Sequence, residues 1–394
     1  MSRVDEIGKF ADKCTGCVAC VDACPVKCVT PIIKTDGFRY VQIDNDCCVG
    51  CGKCYSVCPI INDYKHDENQ KLYAAYSTIP NGQNNGSSGG IFELIAKHLL
   101  DQGYYVCGAA FEGTILKHKI INKTDELKPL LKSKYVQSDT TGVYNKVYDL
   151  LKNNEKVLFC GTPCQVSALK NFVPNYLTTN LITADIICHG VPSQKTFDMY
   201  ISSLEKKHDG RITSFSFRVK DNKYKHAHGY TYSYEKNGEV TTVNGVYTQS
   251  SFYNAFKNYL IFRECCYDCR YSTLNRVSDI TLADFWGIEK YGFKGNVDKG
   301  VSMIITNTIK GQSLFDSLNP MMECQEYPIE YGVESNYCLT RSTKKPKCRD
   351  KVIKELFENG YEKTAEKYFS SGFIFKLYWL IPPTLRNIIR KLRR

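Results

Sequence analysis

The chain has 394 residues, 43% of them hydrophobic and 24% charged, with 20 cysteines and a formal net charge of +11. That length allows two or three domains and at least one sizeable core, and the composition excludes a disordered chain. Six units of the charge (Lys376, Arg386, Arg390, Lys391, Arg393 and Arg394) lie beyond Ser370, where there is no acid, so the rest is too weakly basic for a nucleic-acid surface and no nucleic acid is expected as partner. Met1 to Phe10 holds no apolar leader core, and no run approaches the ~18 apolar residues of a membrane span. With so many cysteines, this predicts a protein of a reducing cytoplasm.

Two copies of one phrase open the chain. Cys14-x-x-Cys17-x-x-Cys20-x-x-x-Cys24-Pro25 recurs 34 residues later as Cys48-x-x-Cys51-x-x-Cys54-x-x-x-Cys58-Pro59. This is the ligand run of a bacterial-type ferredoxin with two [4Fe–4S] clusters. Three cysteines at x-x intervals wrap one cluster, and the fourth reaches across to the other. Cys14, Cys17, Cys20 and Cys58 are therefore expected to hold one cluster, and Cys48, Cys51, Cys54 and Cys24 the other. Gly16, Gly50 and Gly52 suit the tight backbone, and Pro25 and Pro59 close each run. Cys28 and Cys47 fall outside the grammar and read as bystanders, with Cys47 able to compete with Cys48 if the loop shifts.

A polar linker, Asn62 to Gln70, leads to a strand at Leu72 to Ser77. The loop Asn81 to Gly90 then opens into an amphipathic helix, Ile91 to Leu100, an arrangement that offers backbone N–H groups to a phosphate, although such loops are commonly plain turns. Strands follow at Tyr104 to Phe111 and Ile115 to Asn122. A helix is predicted over Asp139 to Asn153, with Asp139 or Thr140 as N-cap. Lys156 to Cys160 reads as a buried strand, Val166 to Phe172 as a helix, and Leu181 to Cys188 as a strand. Ser193 caps a helix running to Lys207. This βα alternation predicts an α/β core. Beyond Arg211 the texture changes to a strand, Ser214 to Val219, a hairpin around Asn237-Gly238, a helix from Ser251 to Phe262, and a strand at Val301 to Thr306.

Four further cysteines stand at element ends: Cys164, Cys188, and the C-x-x-C pair Cys266 and Cys269. Ends of strands in α/β sheets collect ligands. From spacing alone the four are either a third metal centre, [4Fe–4S] or zinc, or simply buried small apolar residues. The region also resembles a known family, the beta subunits of coenzyme F420-reducing hydrogenases and dehydrogenases. The residues that carry the resemblance, spread over Leu72 to Thr306, are Ser88-Gly89-Gly90, Ser133-Lys134-Tyr135, Gly161-Thr162-Pro163-Cys164-Gln165, Cys188-His189-Gly190-Val191-Pro192-Ser193, Cys266-x-x-Cys269, and Arg276-x-Ser278-Asp279-Ile280-Thr281-Leu282-x-Asp284-Phe285-Trp286-Gly287. Ala283 departs from the glycine expected there. Cys160 and Cys265 stand beside the implied ligands and leave their choice open.

The resemblance implies an FAD-binding domain with its own [4Fe–4S] cluster on Cys164, Cys188, Cys266 and Cys269. It implies flavin contacts from Ser87, Ser88, Gly89, Gly90, Lys134, Gln137, Gly161, Thr162 and Pro163. Lys134, facing the flavin, would stabilise its reduced anionic form, and His189 would either shuttle a proton or shape its turn. The whole is expected to be an α+β multidomain protein: a small two-cluster ferredoxin-like domain (1–66), an α/β flavin-binding domain with a mixed sheet (67–345), and a helical basic tail (346–394). The expected function is an iron–sulfur flavoprotein oxidoreductase. Its partners would be ferredoxin or another redox protein and a small organic hydride acceptor such as coenzyme F420. The alternatives are an electron-transfer subunit serving a partner's catalysis, or an iron–sulfur scaffold or sensor without flavin. The tail Phe373 to Arg394 fits either a helix on an anionic membrane surface, at the inner face, or one packed on the domain. His226-x-His228 reads as an exposed polar pair.

Overall fold

In a computed structural model of the chain, residues 11–62, 70–220 and 229–370 are described. His226, His228 and the tail from Phe373 onward lie outside them. Among the described residues no helix is long and apolar enough to cross a membrane.

The first module is small. Helix Ala19–Ala23, strands β1 (Val29–Ile33) and β2 (Arg39–Ile43), and the short helix Lys53–Ser56 surround the cysteines, with β1 and β2 antiparallel. Eight described strands form the central sheet: β3 (Lys71–Ser77), β4 (Tyr104–Glu112), β5 (Ile115–Ile121), β6 (Lys156–Gly161), β7 (Leu181–Ile186), β11 (Ile280–Asp284), β12 (Ser302–Thr306) and β13 (Met322–Tyr327). Their order is β13-β3-β12-β11-β7-β6-β4-β5. The inner strands β4, β6, β7 and β11 are parallel, and antiparallel pairs extend both ends.

The parallel strands are apolar on both faces because both are covered. Val106, Leu158 and Ile182 pack with helices Ile91–Asp101 and Ile309–Leu318. Their neighbours Cys107, Val157, Phe159 and Leu181 pack with helices Val143–Lys152 and Pro163–Phe172, and with Cys17, Ala19 and Val57 of the first module. The two modules thus share one core. A second sheet, with β8 (Arg211–Val219), β9 (Gly229–Lys236) and β10 (Glu239–Val246) in the order β10-β9-β8, turns at Asn237-Gly238 as predicted. It packs with helix Gln194–His208, which Ser193 caps by accepting a bond from Thr196 N.

Three elements differ from expectation. The helix predicted from Asp139 starts at Val143, after Gly142 at φ +77°. Asp139 is held extended beside β5 and ion-paired with Arg39 at 2.5 Å. The capping carboxylate comes from Asp22 of the first module, which accepts from Gly142 N (2.8 Å) and Tyr144 N (3.1 Å). The helix predicted to Phe262 ends at Lys257, because Tyr259 takes a left-handed φ of +60°. The boundary drawn at residue 346 does not separate a tail. Helices Arg349–Asn359 and Tyr361–Tyr368 place Val352, Leu356, Tyr361 and Phe369 in the core beneath the second sheet.

Candidate functional site

The first three cysteines wind around Gly16 (φ +67°) and Val18 (φ +54°). Burial, and after it the thiols of Cys58 and Cys14, push the Cys17 thiol up to about 12. Burial and then Cys17, Cys14 and Cys58 raise Cys20 as well. Cys24, Cys48, Cys51 and Cys54 line one small cavity. Burial, then Cys51, Cys24 and Cys48, raise Cys54. Cys58 thus neighbours Cys14, Cys17 and Cys20, and Cys24 neighbours Cys48, Cys51 and Cys54. Cys17, Cys20, Cys54 and Cys58, whose burial disfavours the thiolate, ionise reluctantly unless a cationic metal core compensates, and thiolate sets gathered like this fit iron–sulfur clusters. Cys28 stands closer than a bystander: it lines the second cavity, with its Sγ 3.4 Å from that of Cys24. Cys47 is exposed.

The third constellation gathers at the carboxyl ends of the parallel strands, where βα turns leave backbone groups unpaired. Cys164 follows β6 at the start of its helix, and Cys188 follows β7. Cys266 and Cys269 belong to a short turn, Glu264–Asp268, and its cap. Burial and then Cys269, Cys17 and Cys265 raise the Cys164 thiol; burial and then Cys164 and Cys269 raise Cys188. Cys265 is raised first by a hydrogen bond with Cys266, then by burial, and it is Cys265 rather than Cys266 that acts on both Cys164 and Cys269. Cys160 stands apart: burial pushes it up to about 12, and Asp185 and Lys134 are its charged neighbours. Cys17 next to Cys164 brings the first quartet beside the third.

One cavity of about 980 Å³ joins these thiols to the glycine turn before helix Ile91–Asp101. Ser87, Ser88, Gly90, Ser133, Lys134, Gln137, Gly161, Thr162, Pro163, His189 and Cys164 all line it. That volume is at the upper end of ligand pockets, about 300–1,000 Å³. A Cβ on Gly89 would meet Ala75 O at 2.4 Å, and one on Gly90 would meet Gly82 O at 2.3 Å, so only glycine lets the turn lie this close to β3 and to the short helix Gly82–Asn85. The Ser88 hydroxyl donates to Val301 O (2.7 Å), and Gly89 N to Ser302 Oγ (2.9 Å). Ser87 Oγ accepts from both Ser133 N (2.7 Å) and Ser133 Oγ (3.0 Å), which leaves its own proton to donate.

Lys134 is no solvated lysine. Its Nζ donates to Leu130 O (2.7 Å) and Leu131 O (2.8 Å), and burial pushes it down to about 7. Gln137 faces the first module: Nε2 donates to Thr15 O (2.7 Å), and Oε1 accepts from Arg263 (3.3 Å). Thr162 caps its helix in a box with Gln165, Pro163 occupies the first turn, and Thr162 Oγ1 is 3.2 Å from Cys164 Sγ. His189 Nδ1 lies 3.3 Å from both Tyr337 Oη and Cys338 Sγ, and burial lowers it.

Arg218 went unread in the sequence. It donates to Asp284 through both nitrogens (2.9 and 2.7 Å) and to Ser87 O (2.6 Å), clamping the turn to β11. A register shift between Phe217 and Val219, with Arg218 at φ +57°, aims the side chain there. The signal available was an arginine interrupting an apolar alternation. Asp279 is structural, accepting from Thr183 N (2.8 Å) and from the Thr183 and Thr308 hydroxyls. Trp286 is 46% exposed at the cavity, beside Arg218.

Residues 154–330 match the family model for the C-terminal part of the coenzyme F420 hydrogenase/dehydrogenase beta subunit, and residues 13–60 match the 4Fe-4S dicluster domain. No curated protein matches the chain. Among solved structures, it is similar to a chain of the xenon-derivatised F420-reducing [NiFe] hydrogenase complex from Methanosarcina barkeri. The identity is 15%, over 77% of this chain and 94% of that one, with a TM-score of 0.42. By the family models, residues 154–330 are similar to the C-terminal part of coenzyme F420 hydrogenase/dehydrogenase beta subunits, joined on one polypeptide to a 4Fe–4S dicluster domain.

Proposed function

We propose that the chain is an iron–sulfur flavoprotein oxidoreductase. Cys14, Cys17, Cys20 and Cys58 hold one [4Fe–4S] cluster, Cys24, Cys48, Cys51 and Cys54 a second, and Cys164, Cys188, Cys266 and Cys269 a third. FAD occupies the large cavity, and its hydride partner is coenzyme F420 or another small organic acceptor. The observation that carries this reading is the continuity of that cavity, from the third set of thiols to the turn at Ser87–Gly90. When bound, the flavin supplies the exchange between a hydride and single electrons that clusters lack.

The protein's own part is placement. The N-terminus of helix Ile91–Asp101 and the Ser87 hydroxyl favour an anionic group. Arg218 and Asp284 lock that turn. Lys134 Nζ, poised at about 7, takes or releases a proton near neutral pH. Electrons meet a redox partner protein at the second quartet, where Cys51 and Val49 are exposed. Membrane contact through the tail remains part of the proposal and is tested by flotation with anionic liposomes against a chain ending at Ser370.

Anaerobic isolation tests the reading: about twelve irons and one FAD per chain are expected from three cubane clusters. A colourless or zinc-loaded preparation overturns it. Reduction of coenzyme F420, NAD(P) or another small acceptor by the isolated chain separates an enzyme from a subunit that only relays electrons.

A further inference from the structure

Arg263 is the largest fully buried side chain among the described residues, and it lies where the two modules meet. Its Nε donates to Cys14 O (2.7 Å), one terminal nitrogen to Gln137 Oε1 (3.3 Å), and the other to Arg39 O. The guanidinium carbon is 4.5 Å from the Tyr40 ring centre and 5.3 Å from that of Phe38. It fills the space that a side chain on Gly16 would need, since a Cβ there would stand 2.9 Å from the guanidinium atoms. None of these partners is a carboxylate. An arginine keeps its charge at any working pH, and burying that charge without an anion is costly.

The anions are at hand on both sides. The charges Arg263 feels most strongly are those of Cys14, from the first quartet, and of Cys265, beside the third, followed by Tyr40 and Cys266. Among the described residues the second quartet shows no counterpart at the equivalent glycine: a Cβ on Gly50 would meet nothing within 4 Å.

We propose that Arg263 is the positioning cation of the electron junction: lodged between Cys14 and the Cys265–Cys266 pair, it pins the first cluster against the second module and stabilises the electron-bearing state of the clusters on both sides. One electron passes from one cluster to the next, one centre being oxidised as the other is reduced, while the guanidinium keeps its protons. A fixed positive charge favours the more negative, reduced state of each neighbour. This inference rests on the three-cluster reading above.

The test is a redox titration of the anaerobic full-length holoprotein, followed by electron paramagnetic resonance, with the second cluster as internal control. Arg263→Gln is expected to move two of three cluster potentials downward and leave the third in place, and Arg263→Lys to return both towards wild type. Should Arg263→Gln fail to retain iron, Gln137→Glu, which sets a carboxylate against the guanidinium, is expected to lower the same two. Three signals of which none moves, or all three moving equally, overturn the role of Arg263. Only two signals in the wild-type protein overturn the three-cluster reading instead.

Discussion

Gly16 and Gly50 occupy equivalent places in the two cysteine runs and share one backbone conformation, φ +67° at each, yet one is walled in by Arg263 and the other faces open space. Their neighbours two residues on, Val18 and Gly52, are both left-handed at +54° and +72°. Six residues beyond the glycines the contrast is as sharp. Asp22 is buried and caps a helix of the second module, whereas Ser56 is exposed and its hydroxyl donates to Lys53 O within the first module. The repeat therefore reproduces a shape, because wrapping a loop around a cluster is a local demand on φ. It does not reproduce an environment. One copy became the inner, docked half, and the other the outer half that meets solvent.

The widest test of that asymmetry compares Cys17→Ala with Cys51→Ala. Each is expected to lose one cluster, about a third of the iron, but Cys17 also belongs to the shared core with Tyr144 and Phe159. Its loss should release the module and abolish electron delivery to the cavity. Loss of the exposed Cys51 should leave the second module, and the flavin proposed for it, intact. Iron content, flavin content and yield of folded protein decide this, and equal damage would break the comparison. Next, Gly16→Ala and Gly50→Ala should each cost about 1 kcal/mol for the left-handed backbone. The first should cost about 1 to 3 kcal/mol more for overpacking against Arg263, read as a lower midpoint in anaerobic melting.

Smaller still, Asp22→Ala should cost about 1 kcal/mol as a lost cap. Ser56→Ala should stay within about 0.5 kcal/mol. A pH-dependent effect lies farther along the same path, at Lys134. Burial depresses its folded pKa to about 7 from 10.5, so the folded state carries a penalty for the charged amine below pH 7. That penalty lifts as pH rises from about 7 towards 10.5, because only the unfolded chain still binds the proton. The midpoint of wild type should therefore gain on that of Lys134→Met between pH 6 and pH 9. A constant gap would mean an ordinary solvated lysine.

The sequence was legible wherever chemistry is local. Both cysteine runs, the Ser193 cap, the Asn237-Gly238 hairpin and the buried strand Lys156–Gly161 follow from spacing and turn residues a few positions apart. It was also legible that Cys164, Cys188, Cys266 and Cys269 sit at element ends, because strand and helix punctuation marks those ends in the chain.

Tertiary structure alone decided what those ends face. Helix Val143–Lys152 begins late because its cap is a carboxylate some 120 positions away, which no local pattern encodes. Gln137, expected at the flavin, spends its amide on Thr15 and Arg263 because the first module docks there. Arg218 reaches Asp284 only through a one-residue slip in β8, and Cys160 has Asp185 and Lys134 as its charged neighbours rather than the third set of thiols. Local propensities act through neighbouring dihedral angles and are written in adjacent letters. The partner of a buried charge or thiol is set by which surfaces the packed core brings together, and that depends on the whole chain at once.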